Sequence, residues 1–581
     1  MVFRSSSLRH WALATVGTAA LLSAGVASPA MARETEDFST KWPIKHVVVI
    51  FQENISFDHY FATYPNALNP VGEPKFTGRD DTPSVNGLTG GLLTDNPNLF
   101  NPFRLDRAQA ATCDMDHGYT DEQKAVDGGL LGLFVQTVGR KGVGCNPNGS
   151  TVMGYYDGNT VTALWNYAQR FAMSDNSFDT NFGPSTVGAL NLIAGQTHGV
   201  VQATAPVNGV PTPTSASIPG NTFVAPSDAQ GTVIGDPQPL LDDCSSPGSR
   251  AQVKMAGPNV GDLLNAKRIA WGFFQGGFAP STPATFNADG SVKTPAVCNT
   301  AHAAHPGVPN PTDGNPSGAD VHTLVTDYIP HHQPFQYYQT TANPHHLPPS
   351  SVAMIGKTDQ ANHQYDLSAF FAALKSGHLP AVSYVKAAAY EDGHPGYSDP
   401  LSEQTFLVDV INTLQQSPEW AETAIIIAYD DSDGWYDHVT GPIVSPSETP
   451  VDSLVPLPRA SEPTQPASPG AIATSGNCGT PKPGAFAARC GYGTRQPLLV
   501  ISPWAKVNFV DHTTTDQSSS LRFIEDNWDL GLIDGPAEPP AGQASFDRIT
   551  GPLVNMFDFA EHPQPRPLFL DRITGAALDR D

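Results

Sequence analysis

The chain has 581 residues, 39% of them hydrophobic and 15% charged, with a formal net charge of −25. That is enough apolar material for a sizeable core and too little charge for a disordered chain. A chain this acidic does not hold nucleic acid by bulk electrostatics and is repelled by an anionic membrane surface. An anionic ligand would have to be held by local cations, either a metal ion or clustered histidines.

Residues 1–32 place Arg4 and Arg9 before an apolar stretch over 11–26 and end in Ala30-Met31-Ala32. This is the pattern of a cleaved export signal, and it predicts a mature chain that starts near Arg33 and is secreted or periplasmic in a bacterium. No later segment offers ~20 uninterrupted apolar residues, so no membrane span is expected. Six cysteines in an exported chain favour disulfides. Nearest-neighbour pairing, one of several connectivities, gives Cys113–Cys145, Cys244–Cys298 and Cys478–Cys490.

Buried strands are predicted at 46–51 (HVVVIF), 268–274 (RIAWGFF), 381–385 (AVSYV), 424–429 (AIIIAY) and 498–501 (LLVI). β-branched runs without polar alternation suit parallel strands covered on both faces. Helices are predicted at 366–375, opened by Asp366 and closed by Gly377, and at 402–415, which carries Phe406, Val410, Ile411 and Leu414 at helical spacing. Strands alternating with helices predict a doubly wound, mostly parallel α/β sheet with helices on both faces. Residues 33–581 are expected to form a single catalytic domain. Its long loop insertions are expected near 200–250, 300–320 and 440–495, where Pro, Gly, Ser and Thr dominate.

The polar residues of interest follow predicted strands directly, where ligands bind in open α/β sheets. The first strand runs into Glu53-Asn54, and the strand at 424–429 runs into Asp430-Asp431. Carboxylates gathered at two facing strand ends repel unless a cation neutralises them, which points to a metal site. Residues 181–190 (NFGPSTVGAL) read as a turn into a helix with Ser185 or Thr186 at its N-terminus. There, free N–H groups favour an anion, and a hydroxyl beside a metal can become a nucleophile. His117, His331, His332 and His394 lie in loops. If they converge, they could bind phosphate as cations at mildly acidic pH and protonate a leaving group.

Together these segments resemble the bacterial phosphoesterase family that holds the non-haemolytic phospholipases C and the respiratory-burst-inhibiting acid phosphatases. The resemblance is carried by HVVVIFQENISFDHYFATYP (46–65), NFGPSTVGALNLIAGQTHG (181–199), EDGHPGYSDP (391–400), IIIAYDDSDGWYDHV (425–439), LLVISPWAKVNFVDHT (498–513) and a segment over 518–559. It implies an alkaline-phosphatase-like sheet and a covalent phospho-enzyme. By motif, Glu53, Asn54, Asp430 and Asp431 would be ligands of one divalent metal ion (Ca, Mg, Mn or Zn). Ser185 would be both nucleophile and ligand. His117, His331, His332 and His394 would be the phosphate-binding and acid–base histidines, while His438 and His512 lie in matching motifs without an assigned role. Val187-Gly188-Ala189 stands where the phospholipases carry Pro-Asn-Arg, and the chain ends soon after the shared core. Both tilt the expectation toward a phosphomonoesterase of acid-phosphatase type. The alternatives are a phospholipase C acting on phospholipid headgroups, and an inert binding protein on the same fold. The expected partners are phosphate-ester small molecules or phospholipid headgroups.

Overall fold

The computed structural model describes residues 39–578, except 142–143, 208–209, 215–222, 225–229, 246–249, 306–322, 455–477 and 561–565. The expected export signal and most of the 300–320 stretch lie outside the described residues. The central sheet has nine strands: β1 (His46–Gln52), β2 (Ala172–Phe178), β3 (Trp271–Gln275), β4 (Gln364–Asp366), β5 (Val382–Lys386), β6 (Thr423–Tyr429), β7 (Arg495–Ile501), β8 (Phe509–Asp511) and β9 (Thr515–Asp516). They are ordered β4-β3-β5-β1-β6-β7-β2-β8, with β9 also paired to β2. Every pairing is parallel except those of β7, which runs antiparallel to both β6 and β2. The sheet is thus the mostly parallel α/β sheet that the strand–helix alternation predicts.

β1 lies between β5 and β6, and its apolar run from Val47 to Phe51 is fully buried. Cover on both faces explains the absence of polar alternation. The same composition in β7 hides a reversal of direction, because an apolar run reports burial and not polarity of the chain. β2 (AMSDNSF) escapes the sequence reading because Ser174, Asp175 and Ser177 break the apolar pattern. All three are buried, with Asp175 accepting a hydrogen bond from the Asn86 backbone at 2.8 Å. β3 begins three residues later than its apolar run. Arg268 is instead the left-handed cap (φ 58°) of the preceding helix, Val260–Lys267.

The 200–250 stretch, read as loop, carries a second sheet of six strands that includes His198–Val207, Gly231–Val233 and Gln252–Met255. Its prolines disguise it. Pro211 and Pro213 fall in the strand Val210–Thr214, which among the described residues pairs only with His198–Val207, an edge position that strand prolines suit. The helix Leu367–Ser376 is capped by Asp366, which accepts from Ser368 N, and by Gly377 at φ 70°. The helix Pro400–Gln415 starts two residues earlier than predicted: Asp399 caps it and Pro400 takes the first position, where its missing N–H costs nothing. The three nearest-neighbour disulfides are formed and no cysteine is free.

Inside that last helix, Glu403 is buried and accepts hydrogen bonds from Tyr60 Oη (2.8 Å) and Tyr429 Oη (2.7 Å), joining the helix to the segment after β1 and to the end of β6. Burial pushes its carboxyl up to about 7, even though the two tyrosine hydroxyls pull the other way. An acid whose folded pKa is raised costs stability once it ionises. The cost is absent below the ordinary value near 4.5, grows as pH rises toward 7 and stays constant above. Glu403→Gln keeps the shape and both tyrosine partners without the charge. Thermal melts are expected to show no gain over wild type at pH 4.5 and a gain at pH 8 corresponding to at most about 3 kcal/mol. A gain of equal size at both pH values would mean that ionisation of Glu403 is not its source.

Candidate functional site

β1 and β6 pair in register over all seven residues, from His46 opposite Thr423 to Gln52 opposite Tyr429. Their carboxyl ends are therefore level, and Glu53-Asn54 emerges beside Asp430-Asp431. Backbone bonds continue past the strands: Asp430 N donates to Gln52 O (3.1 Å) and Ile55 N to Asp431 O (2.8 Å). Asn54, at φ 59°, turns its N–H onto Asp430 Oδ1 at 2.8 Å. Local hydrogen bonding by a short amide side chain makes Asn one of the few residues to tolerate that conformation.

Ser185 opens the fully buried helix Ser185–Ala194. Its Oγ donates to Asp431 Oδ2 (3.1 Å) and lies 3.4 Å from Glu53 Oε2, so one hydroxyl sits between the two strand ends. Thr186 is turned away: its Oγ1 and its N–H both bond Asp236 Oδ1, at 2.9 and 3.0 Å. Three residues into the helix, a Cβ at Gly188 would fall inside the Asp430 carbonyl oxygen, which Gln517 Nε2 also engages at 2.5 Å. Glycine is what lets the Ser185 helix lie against the end of β6.

Glu53, Asp392, Asp430 and Asp431 are all buried here. Burial pushes Asp430, Asp431 and Asp392 well above the usual carboxylate range; Glu53 adds to the effect on Asp430 and Asp392, and Asp430 to that on Asp431. Within the chain, Lys386 at the end of β5 pairs with Glu53 Oε1, and His332 Nδ1 lies 3.0 Å from the same oxygen. Asn54 Oδ1 and Asp430 Oδ2 are buried and have no protein partner. Orphaned oxygens beside crowded carboxylates and a hydroxyl form a hard donor set that fits one divalent cation. Around this cavity, the described His, Asp and Glu side chains whose ligand atoms all lie within 4.8 Å of one another are Glu53, His332 and Asp392, and separately Asp114, His117, His394 and Asp433.

A cavity of about 690 Å³ opens over Ser185, and His117, His331, His332 and His394 all line it. The four loop histidines therefore converge, but not in one charge state. Burial alone would lower His117, yet the carboxylates of Asp431 and Asp433 outweigh it and raise its pKa well above the ordinary value; Nδ1 lies 3.1 Å from Asp433 Oδ1. His331 and His332 are held well below that value, chiefly by burial, with each also repelled by neighbouring cationic groups. Desolvation thus favours the neutral form of both. His394 Nε2 lies 3.1 Å from Asn54 Nδ2, and its ring stacks on Tyr397. His438 and His512 lie elsewhere: His438 Nδ1 contacts Asp58 at 2.6 Å within a buried network with Arg495 and Asp437, and His512 Nδ1 contacts Asp175 at 2.8 Å.

Sequence reasoning missed Lys386, Asp236, Arg140 and Arg250, the last three also lining the cavity. Lys386 left a signal, a lone charge closing an apolar strand. Asp236 and Arg250 left none, because they sit in the proline-disguised insertion.

The sequence matches the Phosphoesterase family over residues 44–531. It is 29% identical over 211 residues to a non-hemolytic phospholipase C of Burkholderia pseudomallei, a match covering 36% of this chain and 27% of that protein. It is 22% identical over 545 residues to phospholipase C B of Mycobacterium tuberculosis, covering 91% of this chain and 80% of that protein. A non-specific phospholipase C6 of Arabidopsis thaliana is 32% identical over 149 residues, covering 24% and 23%. The chain thus spans only about a quarter of the length of the first of these relatives. A solved structure in the alkaline phosphatase superfamily, from Vibrio parahaemolyticus, aligns over 68% of this chain and 65% of its own at 11% identity with a TM-score of 0.25.

Gly188→Ala tests the packing that seats Ser185. The added methyl must push the helix off the Asp430 carbonyl, at a cost of about 1–3 kcal/mol. A lower Tm and weakened binding of divalent cation are expected together. A variant with wild-type Tm and metal affinity would show that the helix has room to spare.

Proposed function

Because the chain belongs to the Phosphoesterase family, we propose that it is an exported, metal-dependent hydrolase of phosphate esters, working through a phospho-Ser185 intermediate in a single catalytic domain over residues 33–581. The observation that carries the reading is the position of Ser185 Oγ, between the carboxylates of Glu53 and Asp431 and under a cavity ringed by four histidines. An inert binding protein would have no need of a hydroxyl so placed.

One divalent ion (Ca, Mg, Mn or Zn), held by Glu53, Asn54, Ser185, Asp430 and Asp431, would lower the pKa of the serine hydroxyl and offset charge on the phosphate oxygens. The positive end of the helix dipole behind Ser185 favours an anion at the same place. The Ser185 hydroxyl passes its proton to Asp431, which already accepts its hydrogen bond, as Oγ attacks phosphorus and the bond to the leaving oxygen breaks. That oxygen departs as an alcohol with a proton from His117, and in the second half-reaction water returns a proton to His117 while Asp431 returns its proton to Oγ. Water then hydrolyses the phospho-serine, releasing phosphate and restoring the hydroxyl. His117, kept protonated by Asp431 and Asp433, suits the cationic role. His331 and His332, neutral when buried, suit hydrogen bonding to phosphate, and His394 completes the ring.

A phosphomonoester is the preferred substrate class, because Arg140, Arg250 and His117 on the cavity wall suit a dianion. A phospholipase C acting on headgroup diesters is the second reading, favoured by the printed names of the relatives and by a cavity of about 690 Å³, large enough for a second substituent on phosphorus. Comparing the turnover of p-nitrophenyl phosphate with that of p-nitrophenylphosphorylcholine separates the two.

Ser185→Ala is expected to reduce turnover by at least ~10³-fold with an unchanged Tm. Thr186→Ala is expected to stay within about tenfold of wild type, since that hydroxyl is committed to Asp236 and its loss removes one hydrogen bond, worth ~1 kcal/mol. The opposite ranking would move the nucleophile to Thr186. Dialysis against a chelator should lower both Tm and turnover, with recovery of both on adding back a divalent ion, because a ligand that binds only the folded state stabilises it. Full activity after exhaustive chelation would exclude the metal.

A further inference from the structure

A second cavity, of about 420 Å³, lies at the far end of the central sheet from Ser185. Ser502, just past β7, donates from Oγ to the Thr423 carbonyl (2.8 Å), which places this cavity beside the start of β6, whereas the candidate site lies beyond its end. Its walls include Arg170, Trp504, Lys506, Phe509, Asp558 and Arg566. Trp504 and Lys506 belong to the SPWAK segment, for which the reaction above has no use.

The charges here are unusual for this chain. Acidic residues outnumber Lys and Arg by 56 to 31, so most cations find a carboxylate. Arg170 does not: among the described residues it has no ion pair, its Nε is buried without a hydrogen-bond partner, and the charged groups that act on it are Arg566 and Arg79. Lys506 has no ion pair with a described residue either, and lies 4.3 Å over the ring of Phe509. The one acid on the wall, Asp558, accepts from Ala560 N through Oδ1 at 3.1 Å. A half-buried guanidinium and ammonium that share a cavity wall without a carboxylate partner are unfavourable unless an anion joins them. The guanidinium fork matches the spacing of phosphate oxygens, and a lysine ammonium adds a point charge.

We propose that this cavity is a second binding site, specific for an oxyanion of the phosphate class and held by Arg170 and Lys506 with Arg566 at the rim. Because it lies at the other end of the sheet, its occupant is not the ester being cleaved. The chemistry is shared by free phosphate and by a lipid or polymer phosphate group.

Isothermal titration of the full chain with inorganic phosphate, together with sedimentation on phosphatidylglycerol vesicles, tests the site. Wild type is expected to bind phosphate at two sites, and Arg170→Gln/Lys506→Gln to keep only the one whose filling inhibits p-nitrophenyl phosphate turnover. Lys506→Gln alone, at a half-buried position, is expected to weaken the second site about tenfold with Tm and turnover unchanged, so the test stands if the double variant does not fold. Vesicle sedimentation that the variants abolish identifies a lipid phosphate as occupant, and phosphate binding without sedimentation identifies a free one. A single wild-type event that the variants abolish supports this site while removing phosphate from the cavity over Ser185. Phosphate isotherms and sedimentation identical in wild type and both variants overturn the proposal.

Discussion

The in-register pairing of His46–Gln52 with Thr423–Tyr429 determines most of what surrounds it. It makes two strand ends level, and each end happens to continue in acidic or amide residues. Four buried carboxylates then share one small volume, a state that proteins sustain only with cations or protons in hand. Lys386 is one resident cation, reaching in from the neighbouring strand, and His117 is a second, anchored on Asp433. Two atoms, Asn54 Oδ1 and Asp430 Oδ2, remain buried without a hydrogen-bond partner among the described residues.

The same crowding governs how Ser185 is presented. A serine at a helix N-terminus commonly caps its own helix, but here Pro184 precedes it and Asp236 supplies an acceptor to Thr186, so the Ser185 hydroxyl is free to face the carboxylates. The helix can approach that closely because residue 188 has no side chain. Glycine inside a helix is ordinarily a loss of about 1 kcal/mol, and the close approach to the Asp430 carbonyl offsets it.

Much of this was legible in the sequence. The runs HVVVIF and AIIIAY mark strands buried on both faces, and the polar residues that follow them must then sit at strand ends. The family resemblance over 181–199 selected Ser185 over Thr186 as the expected nucleophile. What escaped did so for physical reasons. The strand Ala172–Phe178 satisfies its polar side chains by hydrogen bonds, so it lacks an apolar signature. The reversal of Arg495–Ile501 is invisible because burial is indifferent to direction. The charge states of His331 and His332 depend on desolvation, which no local motif encodes.

The insertion between the Ser185 helix and the strand Trp271–Gln275 was the least legible segment, and it lines the pocket with Asp236, Gln238, Cys244 and Arg250. Asp236 holds Thr186, and Arg250 lies within 3.6 Å of Asp236 and on the cavity wall. One carboxylate thus links the helix that carries the hydroxyl to the segment that shapes the cavity. The strand ends, fixed by register and packing, hold Glu53, Asn54, Asp430 and Asp431, while the proline-rich insertion supplies part of the cavity wall. Asp236 is therefore the residue through which changes in that insertion reach the Ser185 helix without touching Glu53, Asn54, Asp430 or Asp431.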